Sequence, residues 1–275
     1  MWEQSIWRMA LAECMCVAIF VFICCGTAVT NGCCDGPGGM IDSSKVVAVS
    51  MAFGFTILVL AHSFGHVSGA HINPAVTFGL LCTNRIPPKR AALFFAAQMT
   101  GGVLGALVLY GALPEDNKGC LGANTVANGF SVASALFLEI VTTGILVLTV
   151  MSTVDVSNSS TKEIGLLPIG MAVFVCHLIS IPLTGCGINP ARSFGPGIVA
   201  YLTRSGCENV MDDHWVFWLG PFVGAAFFSV AYERIIQDNK ESRNLKSTMH
   251  TAGLKSDMVE EVSLPQFDGD ASVQS

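Results

Sequence analysis

The sequence predicts an all-α membrane protein with six transmembrane helices and two re-entrant half-helices arranged as an inverted repeat. Three observations carry this prediction. Only 12% of the 275 residues are charged, against roughly a quarter in a soluble domain, while 52% are hydrophobic. Six windows are apolar enough and long enough to cross a hydrocarbon core of about 30 Å. The motif Ile-Asn-Pro-Ala occurs twice, with asparagines at Asn73 and Asn189, which lie 189 − 73 = 116 positions apart.

The spans run roughly Trp7–Val29, Val46–Phe64, Ala91–Leu113, Phe130–Met151, Ile164–Leu183 and Val216–Ile236. Between spans two and three, Asn73-Pro74-Ala75 reads as a helix start: Asn caps, Pro suits the first position and Ala propagates. Apolar residues follow only to about Leu81, where Thr83-Asn84-Arg85 breaks in. Roughly nine residues at ~1.5 Å each give about 14 Å, half a bilayer core. Asn189-Pro190-Ala191 repeats the start between spans five and six. Each half therefore holds three spans and one half-helix. Three is odd, so the second copy runs through the membrane upside down, which places a site near the midplane where the copies meet.

The halves agree elsewhere. Glu13 in span one matches Glu139 in span four, 139 − 13 = 126 positions on. Gln98-Met99-Thr100-Gly101 is echoed by Pro221-Phe222-Val223-Gly224. The spacings Gly101…Gly105 and Gly220…Gly224 allow close helix crossings. The division expected is a transmembrane domain over 1–237, with repeats at about 5–113 and 130–237, and a partly disordered cytosolic tail over 238–275.

Ten lysines and arginines fall on one side (Arg8, Arg85, Lys89, Arg90, Lys162, Arg234, Lys240, Arg243, Lys246, Lys255) and four on the other (Lys45, Lys118, Arg192, Arg204). That asymmetry puts both termini in the cytoplasm. The sequon at Asn158 then faces the cytoplasm and is read as unused. Ser247 and Thr248, near Arg243 and Lys246, are candidate phosphorylation sites.

Several function classes are excluded. The net charge of −6 owes much to the acidic tail, and no basic surface points to nucleic acid. The first apolar run is too long for a signal peptide and lacks a clear cleavage site. Most of the eleven cysteines, including Cys14, Cys16, Cys24, Cys25, Cys82 and Cys176, lie in apolar runs as small hydrophobes; outside the signature loops, only Cys33, Cys34, Cys120 and Cys207 read as exposed. No spacing suggests a metal site, no nucleophile and base pair up, and no cofactor is implied, so an enzyme is not expected.

The repeated asparagines have a physical consequence. A capping Asn accepts a helix N–H with its oxygen and leaves its NH₂ to donate. Asn73 and Asn189 then offer donors at the midplane, each on the positive end of a half-helix dipole. A water there accepts with its oxygen and turns its hydrogens outward, which interrupts a proton wire, and the same positive ends disfavour cations. The Gly-rich approaches, Gly65 to Ile72 and Thr184 to Ile188, read as non-helical. Such backbone survives at membrane depth only inside protein or along water. The carbonyls of Gly69, Ala70, His71, Gly185, Cys186 and Gly187 are therefore candidate acceptors along a water file.

Ser68-Gly69-Ala70-His71-Ile72-Asn73-Pro74-Ala75-Val76 and Gly185-Cys186-Gly187-Ile188-Asn189-Pro190-Ala191-Arg192-Ser193-Phe194-Gly195-Pro196 resemble the two signature loops of the aquaporins, the water-channel family of major intrinsic proteins. The resemblance covers about residues 5 to 237. It implies a right-handed bundle of the aquaporin kind, a homotetramer with one pore per protomer, and a plasma-membrane location. It also implies a narrow filter of Phe53, His177, Cys186 and Arg192, a set that matches the water-selective branch. The glycerol-conducting branch usually has Asp after the Asn-Pro-Ala-Arg and a small residue in place of His177; Ser193 and His177 both depart from that.

Glu13 and Glu139 are read as acceptors for backbone N–H groups of the two irregular loops, rather than as a proton relay. His62, His66 and His71 form a histidine cluster on the cytoplasmic side, where a gate at His66 is the sharper alternative to a hydrogen-bonded scaffold. Cys186 is expected to be an exposed thiol open to reversible block by mercurials. The expected function is a passive, water-selective channel driven by osmotic gradients, with water as permeant and the lipid bilayer as surroundings. The rivals are an aquaglyceroporin-like channel, a secondary transporter, and a junctional protein with a closed pore.

Overall fold

The computed structural model describes residues 5–32, 42–155, 165–204 and 209–236. The tail residues 238–275, with Ser247 and Thr248, lie outside the described residues, as do Asn158, Cys33, Cys34 and Cys207. Among the described residues, eight α-helices follow in order: α1 Ile6–Thr30, α2 Ser43–Ser68, α3 Pro74–Cys82, α4 Pro88–Ala112, α5 Val132–Val154, α6 Leu167–Thr184, α7 Pro190–Thr203 and α8 Val216–Ala231. No strand occurs among the described residues. Six of the helices are long and apolar enough to cross a membrane, and α3 and α7 are the two that are not.

Contacts between helices obey the predicted two-fold. Helix α1 packs along α4 and α5 along α8, α1 meets α2 as α5 meets α6, and α2 meets α6 across the repeat. Each half-helix also rests on the last helix of the other half, α3 on α8 and α7 on α4. Small residues make these approaches possible. A Cβ at Gly101 or Gly105 would overlap the carbonyl oxygens of Cys14 and Ala18, and one at Gly224 would overlap that of Ile140. Backbones cross this closely in lipid because packing, rather than the hydrophobic effect, holds membrane helices together.

Polarity is inverted relative to a soluble protein. Trp7 (70% exposed), Leu11, Val59, Phe137, Ile179 and Phe227 face outward, while Glu13, Gln98, Glu139, His177 and Arg192 are buried. Such an apolar exterior around buried charge suits lipid as the solvent. The chain is an integral, multi-pass membrane protein.

Element ends correct the sequence reading in three places. Helix α2 continues through Gly65 to Ser68, and the non-helical approach begins only at Gly69, a left-handed C-cap with φ 92°. Helix α6 likewise runs to Thr184 before Gly185 ends it with φ 70°. The half-helices are unequal: α3 has 9 residues, as expected, but α7 has 14 and carries Pro196 inside it.

Candidate functional site

Two short loops, 69–73 and 185–189, bring the half-helix starts together at the centre of the bundle. Their backbones share one left-handed pattern. Gly69, Ala70 and Ile72 have φ of 92°, 47° and 58°, and Gly185, Cys186 and Ile188 have 70°, 57° and 44°. Left-handed Ala, Ile and Cys are costly, on the order of 1 kcal/mol or more each, so surroundings must enforce them.

Two carboxylates do so. Glu13 Oε1 accepts from Ser68 Oγ (2.6 Å) and the His71 backbone N–H (2.9 Å), and Oε2 accepts from the Ile72 N–H (2.8 Å) and Gln98 Nε2 (2.9 Å). Glu139 Oε1 accepts from Thr184 Oγ1 (2.7 Å) and the Gly187 N–H (2.8 Å), and Oε2 from the Ile188 N–H (2.7 Å). Each carboxylate oxygen accepts at least one hydrogen bond, and both residues take backbone N–H groups of the two irregular loops. The hydroxyls were not anticipated, although 184 − 68 = 116 puts Ser68 and Thr184 in the register of the asparagines. Each also receives a backbone N–H two residues on, from Ala70 and Cys186.

Both asparagines cap as expected. Asn73 Oδ1 accepts from the Ala75 N–H (2.8 Å), and Asn189 Oδ1 from the N–H groups of Ala191 (3.1 Å) and Arg192 (3.3 Å). Their amide nitrogens are only partly free, which corrects the sequence reading. Asn73 Nδ2 donates to the Ile188 carbonyl (2.8 Å), and Asn189 Nδ2 to the Ile72 carbonyl (2.9 Å). One hydrogen of each NH₂ thus stitches its half to the other, and one remains. The stitch also fixes which end of each carboxamide is nitrogen, since the oxygen must face the capped N–H.

Of the six candidate carbonyls, Gly185 accepts from Arg192 Nη2 at 3.5 Å. Among the described residues, no donor reaches those of Gly69, Ala70, His71, Cys186 or Gly187. Nothing in the sequence distinguishes the engaged carbonyl from the other five.

The structure brings Phe53, His177 and Arg192 together beside the second loop. The Phe53 and His177 rings lie 4.1 Å apart between centroids, and the Arg192 guanidinium carbon lies 5.1 Å from the Phe53 centroid. Arg192 Nη1 donates to the Gly122 carbonyl at 2.8 Å. His177 Nδ1 lies 2.8 Å from the Val173 carbonyl, which requires the proton on Nδ1 and leaves Nε2 as an acceptor. His177 Nε2 and Arg192 Nε are both buried without a hydrogen-bond partner among the described residues. Cys186 sits on the same loop but is fully buried, not exposed as expected, because the Glu139 and Thr184 bonds draw its backbone inward.

The three histidines His62, His66 and His71 separate. His62 and His66 are exposed on the last turns of α2, whereas His71 lies in the first loop, with Nδ1 3.0 Å from Thr77 Oγ1 and its ring edge-on to Phe94. Cys120, in the loop after α4, is disulfide-bonded, and the other seven described cysteines are free.

With this geometry in place, comparison with known proteins is informative. The family model described as "Major intrinsic protein" matches residues 1–232. The chain belongs to the major intrinsic protein family. Family relatives include aquaporin-1 of Bos taurus, 36% identical over 99% of this chain and 96% of its own length. Aquaporin-1 of Rattus norvegicus is 37% identical with the same coverage of each chain, and a probable aquaporin, PIP2-7, of Oryza sativa subsp. japonica is 39% identical over 91% of this chain and 86% of its own. Among solved structures, the aquaglyceroporin from Plasmodium falciparum superposes with a TM-score of 0.70 at 25% identity, covering 84% of this chain and 97% of its own. Members of this family are membrane channels, and the chain is one of them.

Proposed function

We propose that the chain is a passive, water-selective channel, driven by osmotic gradients, that excludes protons and ions. The observation that carries this reading is the pair of orphaned atoms at the narrow end. His177 Nε2 is an acceptor and Arg192 Nε a donor, and these side chains are 1% and 2% exposed. An unpaired buried polar group costs about 1–3 kcal/mol, so a small molecule that both donates and accepts is the matching occupant. Water does both. Further in, the remaining hydrogens of Asn73 and Asn189 serve as donors, and the unpaired loop carbonyls serve as acceptors on either side of them. A water between two such donors cannot also accept a proton along the file, and Arg192 and the two half-helix dipoles repel cations.

The solved aquaglyceroporin keeps a second reading open, conduction of a small polyol. Two residues weigh against it: His177 is bulky and packed against Phe53, and Ser193 stands beside Arg192. Light scattering on osmotically shocked proteoliposomes tests the choice. The expected result is water flux well above that of empty vesicles, with glycerol excluded. His177→Ala and Arg192→Val are expected to raise glycerol flux relative to water about tenfold or more. Water flux no faster than in empty vesicles would sink the channel reading, and wild-type glycerol flux equal to that of water would favour the second.

We place both termini in the cytoplasm and the loop after α4 outside. A disulfide at Cys120 belongs on an oxidising side, and the lysine and arginine asymmetry agrees. A homotetramer in the plasma membrane is the assembly proposed, as the resemblance of the two signature loops implies.

A further inference from the structure

The loop between α4 and α5 reaches inward as far as the filter. We propose that Asn124 in this loop is a positioning residue that sets where the Arg192 guanidinium stands, and so how wide the aperture is. The inference rests on the water-selective reading and deepens it.

Asn124 is 1% exposed, although it belongs to an outer loop. Its Nδ2 donates to the Thr184 carbonyl at 3.0 Å, and its Oδ1 accepts from Ser193 Oγ at 2.8 Å. Thr184 is the last residue of α6, one before the Gly185 carbonyl that accepts from Arg192 Nη2. Ser193 directly follows Arg192. The carboxamide therefore clamps the chain on both sides of the segment that carries the arginine. Two residues before Asn124, the Gly122 carbonyl takes Arg192 Nη1 at 2.8 Å. The guanidinium thus hangs between two carbonyls, one from its own loop and one from the outer loop, while its Nε stays free for the permeant.

The outer loop does not hold this shape by itself. Leu121 and Gly122 are both left-handed, with φ of 53° and 68°, and a Cβ at Gly122 would lie 2.9 Å from the Cys25 carbonyl oxygen. Besides Asn124, the backbone N–H of Ala127 donates to the Leu183 carbonyl at 2.9 Å. A carboxamide donates to a carbonyl from its nitrogen while it accepts from a hydroxyl at its oxygen, two atoms set apart on one rigid plane. Aspartate would set an oxygen against the Thr184 carbonyl, and an apolar residue would leave two buried groups unpaired. Once the clamp is lost, Gly122 withdraws, the long Arg side chain recovers rotamer freedom, and solutes wider than water gain entry.

The test uses the full chain in proteoliposomes and reads the ratio of urea to water permeability for wild type, Asn124→Ala, Asn124→Asp, Ser193→Ala, Ser193→Thr and the double alanine variant. Ser193→Ala, which removes one hydrogen bond of typical net strength, is expected to raise the ratio about fivefold, and Asn124→Ala, which removes that bond and the one to Thr184, at least as much. The double variant is expected to add little to Asn124→Ala because the bond between the two side chains is shared, and Ser193→Thr to keep the wild-type ratio. Asn124→Asp is expected to raise the ratio too. A ratio left unchanged by Ser193→Ala, in protein that elutes and unfolds like wild type, would overturn the proposal even if Asn124→Ala cannot be recovered. So would single-variant effects that multiply in the double. The wild-type glycerol-to-water ratio separately judges the water-selective reading, so the two can fail independently.

Discussion

The two loops are the same device built with different second parts. In each, a buried glutamate takes a hydroxyl and two successive backbone N–H groups, and an asparagine crosses to the other half. The first half then adds Gln98 of α4, whose Nε2 reaches both Glu13 (2.9 Å) and Thr77 Oγ1 (3.0 Å). Its counterpart in the second half is Pro221, which has no side-chain donor, and the Ser193 hydroxyl of that half is met by Asn124 from the loop between α4 and α5. A second difference is at the residue two before each asparagine. His71 carries a ring, while a Cβ on Gly187 would come within 2.6 Å of Phe217 Cδ1 and 2.7 Å of Glu139 Oε2. The frame is shared, and the halves differ at the second loop, which gives up side-chain bulk at Gly187 and puts Arg192 beside Phe53 and His177.

The largest effects should come from breaking the shared frame. Glu13→Gln and Glu139→Gln each turn an amide N–H toward a backbone N–H, and each is expected to cost about 3 kcal/mol or more. Thermal unfolding in detergent measures both, and a tolerant response at only one of them would end the equivalence of the halves. Gly187→Ala should be next, at about 1–3 kcal/mol from overpacking. His71→Ala, at the matching position, should cost less, and the same measurement compares them. Gln98→Leu removes two bonds in the first half and is expected to lower stability by about 1–3 kcal/mol, without moving the urea-to-water ratio that Asn124→Ala moves.

The smallest effect separates the halves by pH. His214 backs the half-helix α7 at Gly197 and Phe194, its ring nitrogens have no partner among the described residues, and burial holds its pKa below the usual imidazole value. The folded state thus favours the neutral ring. Its contribution is complete above the unfolded value of about 6.5 and is lost as pH falls below it toward the depressed folded value. The thermal midpoint should therefore drop on acidification, and His214→Gln should flatten that drop.

Much of this was legible in the chain. Long apolar windows show six spans because lipid leaves backbone no alternative to helix. The paired Asn-Pro-Ala motifs show where the chain turns back, and the odd span count shows that the copies are inverted. What stayed hidden depends on contacts across sequence. Gly65 reads as a breaker, yet a Cβ there would meet nothing within 4 Å and α2 runs straight through it. The free donors predicted for Asn73 and Asn189 overlooked the carbonyls of Ile188 and Ile72, more than a hundred positions away. Burial of Cys186 follows from Glu139 and Thr184 pulling its loop inward, and Asn124 looks like any polar loop residue until its partners on α6 and α7 are known.

The crossed amide bonds of Asn73 and Asn189 carry a consequence for biogenesis. While the ribosome is still making the later helices, the amide of Asn73 and the carbonyl of Ile72 have no mates, and the inner turn cannot settle. Neither half is a finished module, so two separately expressed fragments should become stable only when they meet in the same bilayer.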